Sequence, residues 1–191
     1  MHYIKIRNKI KKSTCIVAAF LFFTVVSGTW ARDFLTEKEI TKMQDTQDVD
    51  KRTSIFMNAA SLRLQTVLER FNGKDSEPGD ALEFYSPQDM MDDYYKIMDR
   101  IMLVTGDAFE SPRLRENINI KKALQTLKSE SSGNLKKLAK LMQLAEEKQN
   151  KEIWDSVNSA IEITRGVLDG ADKGLSILAE REREEESLRR R

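Results

Sequence analysis

Seven carboxylates, Asp75, Glu77, Asp80, Glu83, Asp89, Asp92 and Asp93, fall within one short stretch of this chain, and three of its four tyrosines, Tyr85, Tyr94 and Tyr95, lie among them. Oxygen donors at that density suit calcium, and phenols beside them can edge a small pocket. A small-ligand or calcium site is therefore one expectation, around Glu77, Asp80, Glu83, Tyr85, Asp89 and Tyr94. The spacing does not follow the D-x-D-x-D-G order of a calcium loop, and the same carboxylates suit the N–H groups of a helix N-terminus. Met91, Met98 and Met102 offer thioethers at helical steps. Thioethers bind Cu(I), but methionine at that spacing is more often flexible core filler. A carboxylate pair can hydrolyse a glycoside only in a groove between rigid walls. No nucleophile elbow, phosphate loop or metal-ligand motif occurs, so a non-enzymatic protein without a cofactor is expected.

Position removes the remaining familiar chemistry. Cys15 and His2, the only cysteine and histidine, lie in residues 1–31, which read as an export signal. Lys5, Arg7, Lys9, Lys11 and Lys12 form a charged start, Cys15 to Gly28 an apolar run, and Thr29-Trp30-Ala31 a small-x-small cleavage site before Arg32. The alternative is an uncleaved N-terminal anchor, but the apolar run is about 14 residues and a spanning helix needs roughly 20. In either case the positive start stays inside and the rest crosses the membrane. A periplasmic or secreted location is expected, with no stable transmembrane segment after cleavage. The leader holds five of the 32 basic residues and none of the 31 acidic ones, which leaves 27 basic against 31 acidic groups, net −4. That balance argues against nucleic acid, whose binding needs a basic footprint. With no cysteine left, packing and not disulfides must hold the fold.

The elements that must position these groups are helical. Thr36 and Glu39 form a capping box, and Ile40, Met43, Phe56, Ala60, Leu64, Val67 and Phe71 recur at steps of three and four. The spacing predicts a helix from about Glu37 to Phe71, bent near Gln44 to Asp48 and stopped by Asn72-Gly73. Residues 73–85 read as a polar loop, and Ser86-Pro87 opens a second helix. That helix carries Met90, Tyr94, Ile97, Ile101 and Val104 on one stripe and Met91, Tyr95, Met98 and Met102 beside it. Ser111-Pro112 repeats the start signal for a third helix, which meets a weak spot at Ser131-Ser132-Gly133-Asn134. A turn at Glu147 to Asn150 leads to a fourth helix through Ile153, Val157, Ile161, Val167 and Leu178. No stretch alternates with period two, so no sheet is expected. The fold class is all-α: an antiparallel up-and-down bundle of about four long amphipathic helices, over residues 32–182, after the signal peptide. The charged tail, 183–191, is read as a helical extension or a frayed end.

Charge and glycine patterns suggest surfaces. Residues 113–151 carry ten basic and four acidic groups, whereas 32–112 carry ten and 17, and 152–191 seven and ten. One reading is a basic third helix flanked by acidic neighbours; the other is a stripe including Lys136, Lys137 and Lys140 facing an anionic envelope surface. Gly166, Gly170 and Gly174 repeat every four residues in the fourth helix, each costing about 1 kcal/mol relative to alanine. Steps of four place them near one face, which lets another helix approach closely, inside the bundle or at a homodimer seam. A helix end or kink at Gly170 or Gly174 is the third explanation.

Phe34-Leu35-Thr36-Glu37-Lys38-Glu39-Ile40, Glu77-Pro78-Gly79-Asp80 and Leu168-Asp169-Gly170-Ala171, in this order after an export leader, resemble an uncharacterised family of exported bacterial helical proteins without a known activity. The resemblance implies a helical fold and an exported location, and nothing about mechanism. Taken together, the expectation is an accessory module of the bacterial envelope that binds a protein partner or self-associates, with the ligand or calcium bundle as the alternative.

Overall fold

The first helix begins where a hydroxyl and a carboxylate exchange backbone partners. The Glu39 N–H donates to Thr36 Oγ1 at 3.3 Å and the Thr36 N–H donates to Glu39 Oε2 at 2.8 Å, closing the capping box of α1, Glu37–Gln44. The computed structural model describes residues 33–110 and 118–190. The export signal and the Ser111-Pro112 start signal therefore lie outside the described residues.

Where one bent helix was expected, two form. α1 stops at Gln44 and α2 spans Val49–Phe71. Between them the Asp48 N–H turns to Thr46 Oγ1 at 3.3 Å, the local competition by which short polar side chains interrupt a helix. α2 ends as expected at Asn72-Gly73. Gly73 takes φ +80°, the Gly73 N–H donates to Arg70 O and the Lys74 N–H to Glu69 O, both at 3.0 Å.

α3, Pro87–Glu110, starts at Ser86-Pro87, with Asp89 accepting from both the N–H and the hydroxyl of Ser86. α4, Ile118–Glu147, runs unbroken through Ser131 to Asn134. Ser131 and Asn134 are themselves buried, between Leu127 and Leu138 of the core, and burial there outweighs weak helix propensity. Gln149 at φ +53° ends that helix, and Asn150 Oδ1 accepts from the Ile153 N–H to open α5, Lys151–Arg189. α5 does not end at Gly170 or Gly174, which removes a helix end as the explanation of the glycines. It continues into the charged tail as far as Arg189, exposed from Glu182 to Arg190.

The described residues are all-helical. α2 packs against α3 and α4, α5 packs against the same two, α1 lies on α2, and α3 and α4 touch only lightly. Lys137 Nζ donates to Ser61 Oγ, and Lys148 sits 5.5 Å from the Phe71 ring centre, so α2 and α4 run parallel. Gln88 bonds Ser156 and Tyr94 bonds Thr164, so α3 and α5 are parallel as well. Lys121–Glu182 and Lys128–Asp172 show α4 and α5 antiparallel. Direction thus alternates along the four long helices, while the order around the bundle is α2, α3, α5, α4. The consecutive helices α3 and α4 occupy opposite corners.

Two arginines of α2, two turns apart, tie the irregular segments to this frame. Arg63 is fully buried; its guanidinium meets Glu39 at 2.8 and 2.9 Å and donates to the carbonyls of Phe34 and Ala59, latching α1 down. Arg70 donates to the carbonyls of Leu82, Glu83 and Tyr85 and to Ser76 Oγ, holding the 73–85 loop.

Candidate functional site

The two parallel helices α3 and α5 are joined in their N-terminal halves by two side-chain hydrogen bonds. The Thr164 hydroxyl gives its proton to the Ala160 carbonyl at 2.6 Å, so Tyr94 is the donor in the buried 2.7 Å bond that connects the helices. Burial pushes the Tyr94 phenol up to about 12, a shift that its polar neighbours Thr164 and Asn134 only partly oppose. At ordinary pH it is neutral and ties the two helices. About two turns earlier, Gln88 reaches Ser156 at 2.8 Å.

Beside these ties and past them the surface between the helices is concave among the described residues. Two cavities, of about 640 and 350 Å³, share Met102 and Gly166 and form one groove. The first is lined by Asp92, Tyr95, Lys96, Asp99 and Glu162; the second by Phe109, Leu124, Gly170, Ala171 and Ile177. Sequence explains the hollow. A face of α5 that carries Gly166, Gly170, Ala171 and Gly174 has little side chain to fill the gap, and Gly106 thins the facing wall on α3. Met102 and Ile177 stand on the rim at 39% and 38% exposure. One end is acidic, three carboxylates against Lys96, and the other is mostly apolar, with Lys173 its one charged side chain.

The three glycines of α5 prove unequal. A Cβ on Gly174 would sit 2.9 Å from Leu124 Cδ1, so this glycine admits a side chain of α4 inside the bundle. A Cβ on Gly166 would reach only Met102 Sδ, at 3.9 Å, and one on Gly170 would meet nothing within 4 Å among the described residues. Close packing therefore accounts for Gly174 and leaves the helix-propensity cost of Gly170 without an internal reason.

The other expected sites do not converge. Asp80 Oδ2 accepts from the Glu77 N–H and Glu83 Oε2 from the Gly79 N–H, both at 2.8 Å, while Asp89 caps α3. These acids satisfy their own loop's backbone. Glu77 and Asp80 border a cavity of about 430 Å³ with Leu62, Glu69 and Lys74, whereas Tyr94 is buried against α5 and Tyr85 is held through its carbonyl by Arg70. Among the described residues no three His, Cys, Asp or Glu side chains are grouped to hold a metal ion. Met91 and Met98 are core, apart from the exposed Met102. Lys136 and Lys140 are exposed and Lys137 is engaged by Ser61 at 2.6 Å; other α4 lysines face acids of α5, Lys121 with Glu182 and Lys128 with Asp172.

Sequence reasoning missed Gly106, Phe109 and Ile177 as parts of a site. Gly106 inside an apolar-periodic helix was the available signal. It also missed Arg63 and Arg70, whose only mark is a seven-residue interval on one helix face. Compared with protein-family models, curated proteins and solved structures, the chain matches none. Among the described residues no helix is long and apolar enough to cross a membrane.

Proposed function

We propose that this chain is a non-catalytic helical module of the bacterial envelope that works by holding a protein partner. The observation that supports it is the α3/α5 groove, where among the described residues a glycine floor and the exposed Met102 and Ile177 leave apolar surface open in a concave setting, unlike the isolated exposed side chains Leu62, Phe84, Leu103 and Leu188, which line neither of its cavities. Export rests on the leader: its charged start, short apolar run and Thr29-Trp30-Ala31 site. N-terminal sequencing of the protein recovered from the envelope tests this, with Arg32 expected as the first residue.

Site-specific photo-crosslinkers test the interaction. Placed at Met102 or Ile177, they should yield a stoichiometric protein adduct in cells; placed at Glu130, exposed on α4 outside the groove, they should not. Equal labelling at all three positions, or none, rejects the reading. The cavity beside Glu77 and Asp80 favours a second reading, a small-ligand or calcium bundle. A rise in melting temperature with calcium, lost in Asp80→Asn, would support it.

A further inference from the structure

We propose that the α3/α5 groove takes one amphipathic helix from a partner protein, with apolar turns over Gly170 and Met102 and a basic turn between Asp99 and Glu162. The proposal rests on the interaction reading above and specifies the occupant. Length comes first: between Asp92 and Phe109, α3 rises about 25 Å, which matches a helix of about 17 residues lying along it. Depth comes from the floor. A surface without side chains at Gly166 and Gly170 lets a second backbone approach closely, and the apolar walls then meet the side chains on its inner face.

Polarity fixes the chemistry of the occupant. Asp92, Asp99 and Glu162 line one half with Lys96 the single cation among them, while Met102, Phe109 and Ile177 line the other, whose one charged side chain is Lys173. A helix that is apolar at one end and carries Lys or Arg at the other complements both halves, and the charge pairing sets its direction.

A second copy of this chain fits poorly. Joining two of these grooves about a two-fold axis places the acidic half against either the partner's acidic half or its apolar half. In both arrangements carboxylates outnumber the lysines that could pair with them, six against two Lys96 in the first and three against Lys96 and Lys173 in the second, and two concave faces leave a void between them.

The test uses the full chain and a fluorescein-labelled peptide of about 18 residues, with Leu at helical steps over the inner face of one half and Lys on the inner face of the other. The control peptide exchanges each Lys for Glu. Anisotropy should show saturable binding of the Lys peptide, about tenfold tighter than the Glu peptide. Gly170→Leu should weaken it about tenfold, and Gly106→Leu on the facing wall should do likewise, so the test survives if either variant fails to fold. In Asp99→Lys with Glu162→Lys the preference should invert toward the Glu peptide. Unchanged affinity in both glycine variants, or no preference between the peptides, overturns the proposal. So does a dimer of the chain that Gly170→Leu converts to monomer, because the groove then belongs to a second copy. If no peptide binds while the crosslinker at Met102 still captures a stoichiometric protein, the helical occupant is wrong and the interaction reading stands. If both fail, both readings fall.

Discussion

Against α4, helix α5 is closed: Leu124 fills the space over Gly174, and Lys128–Asp172 at 2.7 Å and Lys121–Glu182 at 2.7 Å bridge the rim. Against α3, the same helix is tied by Gln88–Ser156 and Tyr94–Thr164 beside the acidic half of the groove, and among the described residues the groove stays open beside and past those ties. Gly170 and Gly174 are one turn apart and yet face opposite situations. What a glycine in a helix is for depends on the atom that would meet its Cβ, and periodicity alone does not carry that information.

Substitutions can break or sharpen this contrast. The largest effect is expected away from both seams, at the latch on α1. Arg63→Ala leaves Glu39 without its cation and should cost about 3 kcal/mol in urea unfolding, with peptide affinity at the groove unchanged. A loss of groove binding would show that the α3/α5 seam is not independent of α1. The same pair gives an acid limb. Burial raises the Glu39 carboxyl, but the Arg63 guanidinium and the Thr36 N–H and hydroxyl lower it further, so its net position is below the usual 4.5. Stability from Glu39 is then fully present above that value and is lost as acid protonates it; Glu39→Gln should flatten the limb.

The next effect separates the seams directly. Gly174→Leu forces a side chain into Leu124 and should cost about 1–3 kcal/mol, whereas Gly170→Leu should leave stability unchanged or raise it by up to about 1 kcal/mol. Equal losses at both positions would remove the contrast. Tyr94→Phe should cost about 1 kcal/mol by loosening the tied half of the α3/α5 seam. Because the folded phenol titrates at about 12 against an ordinary 10.0, its contribution is present below pH 10 and lost as pH rises through the folded value. The alkaline loss should therefore shrink in Tyr94→Phe. The smallest effect belongs to the rim: Lys128→Ala should change stability by about 0–1 kcal/mol, since both partners are about half exposed.

Much of the helix inventory was legible because its signals are local. Thr36 with Glu39, Ser86-Pro87, Asn72-Gly73 and Asn150 each mark a boundary through hydrogen bonds within a few residues. The interruption at Asp45 to Asp48 was visible as polarity, although its outcome as two helices was not. Ser131 to Asn134 misled because weak propensity is local while burial is not. The diagonal placement of α3 and α4 was illegible, since apolar stripes say which face is buried but not against which helix. The groove was half legible. Its glycines were conspicuous, but only the placement of Leu124 and Met102 separates a packed glycine from an open one. The acidic stretch near residues 75–93 drew attention by composition, and its carboxylates turned to their own backbone.

The most direct measurement is carbon-13 methyl NMR of the methionines during titration with the Leu/Lys peptide. Met102 on the groove rim should shift progressively and saturably, while Met142, on α4 outside the groove, should stay in place. A still Met102, or equal movement of both methyls, would contradict the assignment of the α3/α5 groove as the docking site.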